Sequence, residues 1–507
     1  MNEKSRTTNS IRNSIIGAIS QGCGIILNFV TRLFFVKYLN EEYLGVNGLF
    51  SNILTVLSLA ELGVGTAIIY SLYKPVAEKE EKKIAALLNF YKTAYLIIGL
   101  FITVIGIALT PFLNLIIKDT PDIPELSVIY LLFLANTSCS YFFAYRRSIF
   151  SADQREYILS TYKLLFTILK AVGQCMVLIL SKNFMLYLSI QIICTIAENL
   201  LVYYKSNKYY PFLKKYKKVK LSKKSITKIA IDIKSLMIYK IGSTALDGTD
   251  NIILSAFVGV VWVGKLSNYT LIVTSINMLA TQVVSALTAS IGNFIATEKK
   301  SRYEDLLFKV LFASFIIFGF SFVCLNCLLT PFVELVFGIQ YCLGFAEVFV
   351  VSLNFYIFGM MNCVWTFRTT MGLFEHGKYR PIVSAIINII VSIALAKEIG
   401  LLGVLVGTTI TRVVTNVWFD PYVVYKYGIE EKPWKYYGKW MEYLSIALIS
   451  IGLCEGIFRL IPSVSIYTFI LRCIICVVVF GGLLIIITSR QEEFKYIKGV
   501  VLEKFTK

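Results

Sequence analysis

The chain has 507 residues, 57% of them hydrophobic and only 16% charged, with a mean hydropathy of +0.70. A soluble protein carries about 25% charged residues, so a soluble enzyme, a secreted disulfide scaffold and a disordered chain are all excluded, and the composition reads as an all-α polytopic membrane protein. The 50 Lys and Arg against 31 Asp and Glu leave a net charge of +19. In a membrane protein such an excess collects in cytoplasmic loops and does not mark nucleic-acid binding.

The N-terminal stretch Met1 to Asn13 is polar and carries Lys4, Arg6 and Arg12. The apolar run after it continues to about Val36 without a small-residue cleavage site, which makes it a first span and not a signal peptide. Apolar runs of helical length fall at 12–36, 46–72, 87–110, 127–145, 158–181 and 184–204, then at 229–256, 266–291, 309–330, 345–367, 381–396 and 400–425. A last pair lies at 441–459 and 467–489. A spanning helix needs about 20 apolar residues, so about fourteen transmembrane helices are expected, with both termini on one side.

The basic residues choose that side. With the N-terminus in the cytoplasm, inside segments hold 36 Lys and Arg and outside segments hold 6, an orientation signal by the positive-inside rule. The longest outside loop, near Pro111 to Leu126, and the largest inside loop, Lys205 to Lys228, are both too short to fold a catalytic domain. No G-x-x-x-x-G-K-[ST] phosphate loop occurs, which argues against an ATP-driven pump. No enzyme activity is expected.

The segment 205–228, with ten lysines in 24 residues, also divides the chain. The expected organisation is a six-helix bundle over 1–204, a basic cytoplasmic linker over 205–228, a second six-helix bundle over 229–425, and an added helix pair with a tail over 426–507. An offset of 219 places Leu44-Gly45 on Val263-Gly264, Ala67 on Ala286 and Ser71 on Ser290. Six spans per repeat preserve orientation, so the repeats are parallel, an arrangement used for alternating access. The linker itself reads as a topology determinant on an anionic membrane surface, with a role in gathering a diphosphate-linked substrate as the other reading.

A charge at the bilayer centre costs at least about 2.5 kcal/mol and belongs on an interior or wet face. Glu61, Lys170, Lys240, Asp247, Asp250 and Arg412 lie deepest, while Arg32, Lys92, Lys163, Lys234 and Arg472 lie nearer span ends, where they can snorkel. Lys240, Asp247 and Asp250 share one helical face of the seventh span; they form either a salt-bridged seam or a cavity wall with a carboxylate that binds Na⁺ or H⁺. Arg32, Lys92, Lys163 and Lys170 leave the first bundle cationic, with only Glu61 and Glu198 opposing them, which suits an anionic substrate such as a diphosphate. The eleven cysteines fall almost entirely inside apolar runs. Cys324-x-x-Cys327 and Cys473-x-x-Cys476 are lone pairs that complete no four-ligand set, so they read as small buried hydrophobes and no metal is expected.

The run Leu59-Ala-Glu-Leu-Gly-Val-Gly-Thr-Ala-Ile-Ile-Tyr-Ser-Leu-Tyr-Lys-Pro75 resembles the second-span signature of the Wzx-type polysaccharide transporters, within the multidrug/oligosaccharidyl-lipid/polysaccharide exporter superfamily. Arg146-Arg-Ser-Ile-Phe-Ser-Ala-Asp-Gln-Arg-Glu-Tyr157 is similar to the family's loop after span four, and Asp250-Asn-Ile-Ile-Leu-Ser-Ala-Phe-Val-Gly259 to its seventh span. Gly372-Leu-Phe, Lys378-Tyr-Arg-Pro-Ile, Asn388 and Gly403-Val-Leu-Val-Gly-Thr408 resemble its segment around span eleven. The resemblance implies a non-enzymatic flippase that carries an undecaprenyl-diphosphate-linked oligosaccharide across the bacterial cytoplasmic membrane for O-antigen, capsule or a related surface glycan. It implies a diphosphate and sugar cavity near Arg32, Lys92, Lys163, Lys170, Lys240 and Arg412, and no cofactor beyond a coupling Na⁺ or H⁺, with Glu61, Asp247, Asp250 and Asn388 as candidates. Its partners would be the bilayer and the polysaccharide polymerase and chain-length machinery. A flippase for the peptidoglycan lipid precursor and a membrane-embedded polysaccharide polymerase or ligase are the competing readings.

Overall fold

The computed structural model describes residues 3–61, 64–117, 123–142, 144–223, 225–227, 229, 248–373, 375–377, 379–461 and 464–505. Among the described residues every regular element is helical. Ten helical stretches there are long and apolar enough to cross a membrane. One of them, Arg380–Ile429, contains two of the expected spans. The expected second span is divided into two shorter helices, and the expected seventh lies largely outside the described residues. The chain resolves into two compact units, Met1–Gly264 and Lys265–Lys507. That division falls beyond the basic linker.

In the first unit, α1 (Glu3–Tyr38), α2 (Glu41–Leu57), α3 (Val64–Ala77) and α4 (Glu81–Leu109) are followed by α5 (Leu126–Phe142), α6 (Arg147–Ala152), α7 (Glu156–Ser181) and α8 (Phe184–Tyr209). Beyond the linker come α9 (Asp250–Phe257) and the start of α10 (Val260–Ala286). Asn40 caps α2, its side-chain oxygen accepting from the Tyr43 amide at 3.1 Å. Helix α1 packs along α7, α7 along α8, and α5 against both α4 and α8. Ile15, Ile19 and Ile26 of α1 and Ile97, Leu100, Val104 and Ile107 of α4 are more than half exposed. In water such apolar faces would mark a binding surface; at helical spacing on spanning helices they mark lipid.

Between α2 and α9–α10 the backbones themselves touch. A Cβ on Gly45 would lie 2.1 Å from the Val260 carbonyl oxygen, and one on Gly264 would lie 2.8 Å from that of Glu41. Inside lipid the hydrophobic effect no longer drives helices together, and small residues that permit close approach take its place. Gly45 and Gly264 are also the pair superposed by the 219-residue offset, so both copies of that glycine serve one contact.

The second unit is organised around α12 (Tyr303–Phe337), the helix after α11 (Thr288–Thr297). Helix α12 packs against α13 (Phe345–Thr370), α15 (Trp434–Phe458), α16 (Ile466–Thr488) and α17 (Glu492–Phe505). Phe312, Phe315, Phe318 and Phe322 are fully buried on it, and Phe315 stacks on Tyr443 with ring centroids 4.6 Å apart. Helix α14 (Arg380–Arg412) is a hairpin, broken at Ile399 and at Gly400, where φ is +61°. Its arms then touch: Ser392 Oγ donates to the Val404 carbonyl at 3.4 Å, and Ser384 Oγ to Thr415 Oγ1 at 2.7 Å. A Cβ on Gly403 would lie 2.2 Å from the Leu395 carbonyl oxygen.

Past the hairpin the chain widens into π-helical turns at Val413–Val417 and Val424–Ile429. Between them stands Asp420, fully buried. Arg368 Nη1 donates to its Oδ1 at 2.5 Å, Trp365 Nε1 donates to its Oδ2 at 2.8 Å, and Arg380 also pairs with it. One carboxylate thus compensates two guanidinium groups.

Two substitutions test this packing by thermal unfolding in detergent. Gly403→Ala forces the hairpin arms apart and is expected to cost about 1–3 kcal/mol, whereas Gly452→Ala, which meets nothing within 4 Å, leaves the midpoint unchanged. Asp420→Ala strands two arginines and is expected to cost about 3–5 kcal/mol.

Candidate functional site: cations along one helix of the first unit

Helix α8 carries two adjoining polar stripes, Cys194 and Glu198 on one and Thr195, Asn199 and Tyr203 on the next, each at a spacing of four. Its neighbours supply the cations. The Ala144–Arg146 turn ends the α5 region and α6 starts at Arg147, so two adjacent arginines leave the chain at a bend. Arg147 Nη2 donates to Glu198 Oε1 at 2.6 Å and to Asn199 Oδ1 at 3.1 Å. Arg146, its neighbour in sequence, lies instead over the Tyr145 and Tyr203 rings, at 5.2 Å and 5.1 Å. Lys170 of α7 interacts electrostatically with Cys194, Glu198 and Lys163. Farther along, Arg32 of α1 interacts with Tyr187 of α8. Thr195 completes the polar face by donating to Asn136 Oδ1 of α5 at 2.9 Å.

Read along α8, cations therefore stand opposite positions 203, 198–199, 194 and 187. At about 1.5 Å per residue these rungs are roughly 6–10 Å apart. The carboxylate of Glu198 is the acid among these contacts, and it holds Arg147 in a pair whose side chains are 32% and 16% exposed. Half-buried Lys170 lies within electrostatic range of that same carboxylate. Among the described residues, the cations of this row outnumber its one acid.

The expected candidates divide among several places. Arg32 and Lys170 join this row, and Lys163 stands beside Lys170 with an exposed side chain. Lys92, exposed on α4, lines a hollow with Arg146 and Tyr203, at the Tyr203 end of this row. Lys240 and Asp247 lie outside the described residues. Asp250 is half-buried and opens α9. Arg412 ties two helices of the second unit: its Nη1 donates to the Asn354 carbonyl at 2.9 Å, and its guanidinium lies over the Phe358 ring at 5.6 Å. Asn388 is fully buried in the hairpin, where Nδ2 donates to Thr408 Oγ1 at 3.0 Å.

Glu61 sits where α2 gives way to α3, at the end of the tight turn Ser58–Glu61. Tyr95 donates its hydroxyl to Glu61 Oε1 at 3.1 Å, and the Tyr95 and Tyr141 rings stack at 6.2 Å. Among the described residues no lysine or arginine pairs with this carboxylate. A carboxylate at a broken helix before a helix N-terminus is a setting in which transporters hold small cations or polar substrate groups.

Arg146, Arg147 and the convergence of three cysteines were not read as site residues from sequence. The adjacent arginines at the end of a span were the available signal for the first two. Cys327, Cys454 and Cys476 bring their sulfurs within 4.8 Å of one another. They come from α12, α15 and α16, so the local pair spacings carried no hint of it.

Comparisons with known proteins agree with this architecture. No curated protein sequence matches the chain. Among solved structures, the lipid II flippase MurJ in an inward closed conformation superposes with a TM-score of 0.68 at 14% identity, covering 94% of this chain and 98% of that one. An inward-facing multidrug resistance MATE family transporter of the MOP superfamily gives 0.58 at 14% identity, over 79% and 94% of the two chains. A MOP superfamily transporter from Pyrococcus furiosus gives 0.57 at 15% identity, over 84% and 97%. At these identities the likeness establishes the fold and not the function. Residues 10–291, more than half of the chain, match the family described as polysaccharide biosynthesis protein. The chain is a member of that polysaccharide biosynthesis protein family, built on the fold of the multidrug/oligosaccharidyl-lipid/polysaccharide exporters.

Proposed function

We propose that the chain flips an undecaprenyl-diphosphate-linked oligosaccharide repeat unit from the inner to the outer leaflet of the bacterial cytoplasmic membrane, by alternating access, for surface polysaccharide synthesis. The observation that carries this reading is the row of cations along α8, anchored by Glu198 and Asn199. A diphosphate is the part of such a lipid that hydrocarbon rejects most strongly. Cations spaced by one or two helical turns offer it successive counter-charges, while the polyprenyl chain remains in lipid. Membership in a polysaccharide-biosynthesis family favours this cargo over the peptidoglycan precursor.

Orientation follows the excess of basic residues, which puts both termini in the cytoplasm. The N-terminal tail and the loop after span four lie at one end of the first unit, in agreement: Asn13 Nδ2 donates to the Gln154 carbonyl at 3.0 Å, and its Oδ1 accepts from the Tyr157 amide at 2.7 Å. Glu61 is the first candidate for a coupling Na⁺ or H⁺, with Asp250 next. O-antigen or capsule as the end product, and a polymerase with chain-length machinery as partners, belong to the same proposal.

Depletion in the native host, followed by leaflet-resolved lipid analysis, tests the reading. A complete diphosphate-linked repeat unit is expected to build up on the cytoplasmic face as surface glycan falls; build-up on the outer face would mean polymerisation or ligation instead.

At residue level, Lys170→Ala removes a charged contact of about 1.5–3 kcal/mol and is expected to slow transport roughly tenfold to a hundredfold at normal membrane levels. Lys170→Arg should retain part of the activity. Arg412→Ala should lower both transport and thermal stability, since it also unties the Asn354 carbonyl. Unchanged transport in Lys170→Ala would sink the role given to the cation row.

A further inference from the structure

The basic segment after α8 is docked, not trailing. Tyr210 donates its hydroxyl to Asp153 Oδ2 at 2.8 Å; burial and then that carboxylate push its phenol well above the usual value, so it stays protonated and donating. Leu213 is buried. Asn89 of α4 donates through Nδ2 to the Tyr216 carbonyl at 3.0 Å and to that of Val219 at 3.1 Å. These bonds hold the chain over α4 and roof a hollow of about 720 Å³.

Among the described residues, five cations line that hollow, namely Lys92, Arg146, Lys217, Lys218 and Lys220, and no carboxylate does. Arg146 is only 8% exposed, and its Nε and Nη1 have no hydrogen-bond partner among the described residues. Stacked over two tyrosine rings, its planar fork is held in one orientation. A buried guanidinium with unused donors is costly unless a further acceptor arrives, and its geometry matches the paired oxygens of a phosphate. The walls are part apolar, with Phe90 and Leu213 among them, which suits a phosphate attached to an alkyl chain better than a free ion.

We propose that this hollow binds the phosphate of a lipid headgroup, with Arg146 as the fork and Lys92, Lys217, Lys218 and Lys220 as the surrounding counter-charge. The site shares Arg146 with the cation row of the transport reading, but retention of a lipid here is read without transport. Two lipids share the needed chemistry, a bulk anionic phospholipid and the carrier diphosphate, and they are told apart by measurement.

Native mass spectrometry of the purified full-length chain in detergent would count bound phosphatidylglycerol, phosphatidylcholine and undecaprenyl diphosphate, each with and without inorganic pyrophosphate as competitor. The unsubstituted chain is expected to retain the anionic lipids over phosphatidylcholine and to lose them to pyrophosphate. Arg146→Gln should weaken retention at least tenfold. So should K217A/K218A/K220A, which changes only exposed side chains and should keep the thermal midpoint. Retention of both anionic lipids would assign the site to bulk phospholipid phosphate, and retention of undecaprenyl diphosphate alone to the carrier. Lys170→Ala, which the transport reading needs, should bind as the unsubstituted chain does, so failure of one proposal is distinguishable from failure of the other. Equal retention by the folded triple variant, or lipid that pyrophosphate does not displace, would overturn the assignment.

Discussion

A charge buried in protein must find a partner, and much of this chain's polar interior answers that requirement. Asp420 meets two arginines and an indole N–H in the second unit. Glu198 meets Arg147 and stands near Lys170 in the first. The two clusters differ in balance and in burial. Asp420 has no exposed surface and its donors converge on it at short range, which makes it a structural clasp between helix ends. Glu198 and Arg147 keep part of their surface and answer to additional cations, so the first unit retains positive charge in reserve. The clasp fixes a shape; the reserve can act on something that passes.

The helices depend on the same economy in their backbones. Lipid offers no hydrogen bonds, so a helix can break only where protein groups cover the gap. The hairpin at Ile399 and Gly400 is such a place, with Ser392, Asn388 and Thr408 bonding across its arms. The interruption before α3 is another, and beside it Tyr95 donates to Glu61. Both breaks lie near residues that look functional by chemistry alone. In the hairpin the polar groups are spent on one another, whereas at Glu61 a carboxylate is held by a tyrosine hydroxyl and keeps capacity for a further ligand.

Depth was legible in the sequence and azimuth was not. Hydropathy located most of the long helices because every turn facing lipid must be apolar. Lys170 could be assigned to membrane depth for the same reason, whereas Arg32 reads as a residue near a span end. What a single chain does not display is the neighbour that each side chain meets. Asn388 has the chemistry of an ion ligand, yet its amide is absorbed by Thr408 across a hairpin whose close approach depends on Gly403. Arg146 and Arg147 are adjacent in sequence, about 100° apart around a helical turn, and turn to different surroundings. The three cysteines meet because three distant helices cross at one level, a coincidence of packing that no local spacing encodes.

The cations along α8 have a further consequence for energetics. They are anchored to the protein by Glu198, Asn199 and the tyrosine rings, so they do not leave with the cargo. The charge displaced through the membrane in the proposed cycle is then the cargo's own, about two negative charges for a diphosphate. Crossing a potential is worth about 2.3 kcal/mol per charge per 100 mV, and outward movement of an anion runs downhill where the cell interior is negative. Fixed counter-charges would let membrane voltage itself favour export, with the helix serving as a stationary electrode along which the head group is handed outward.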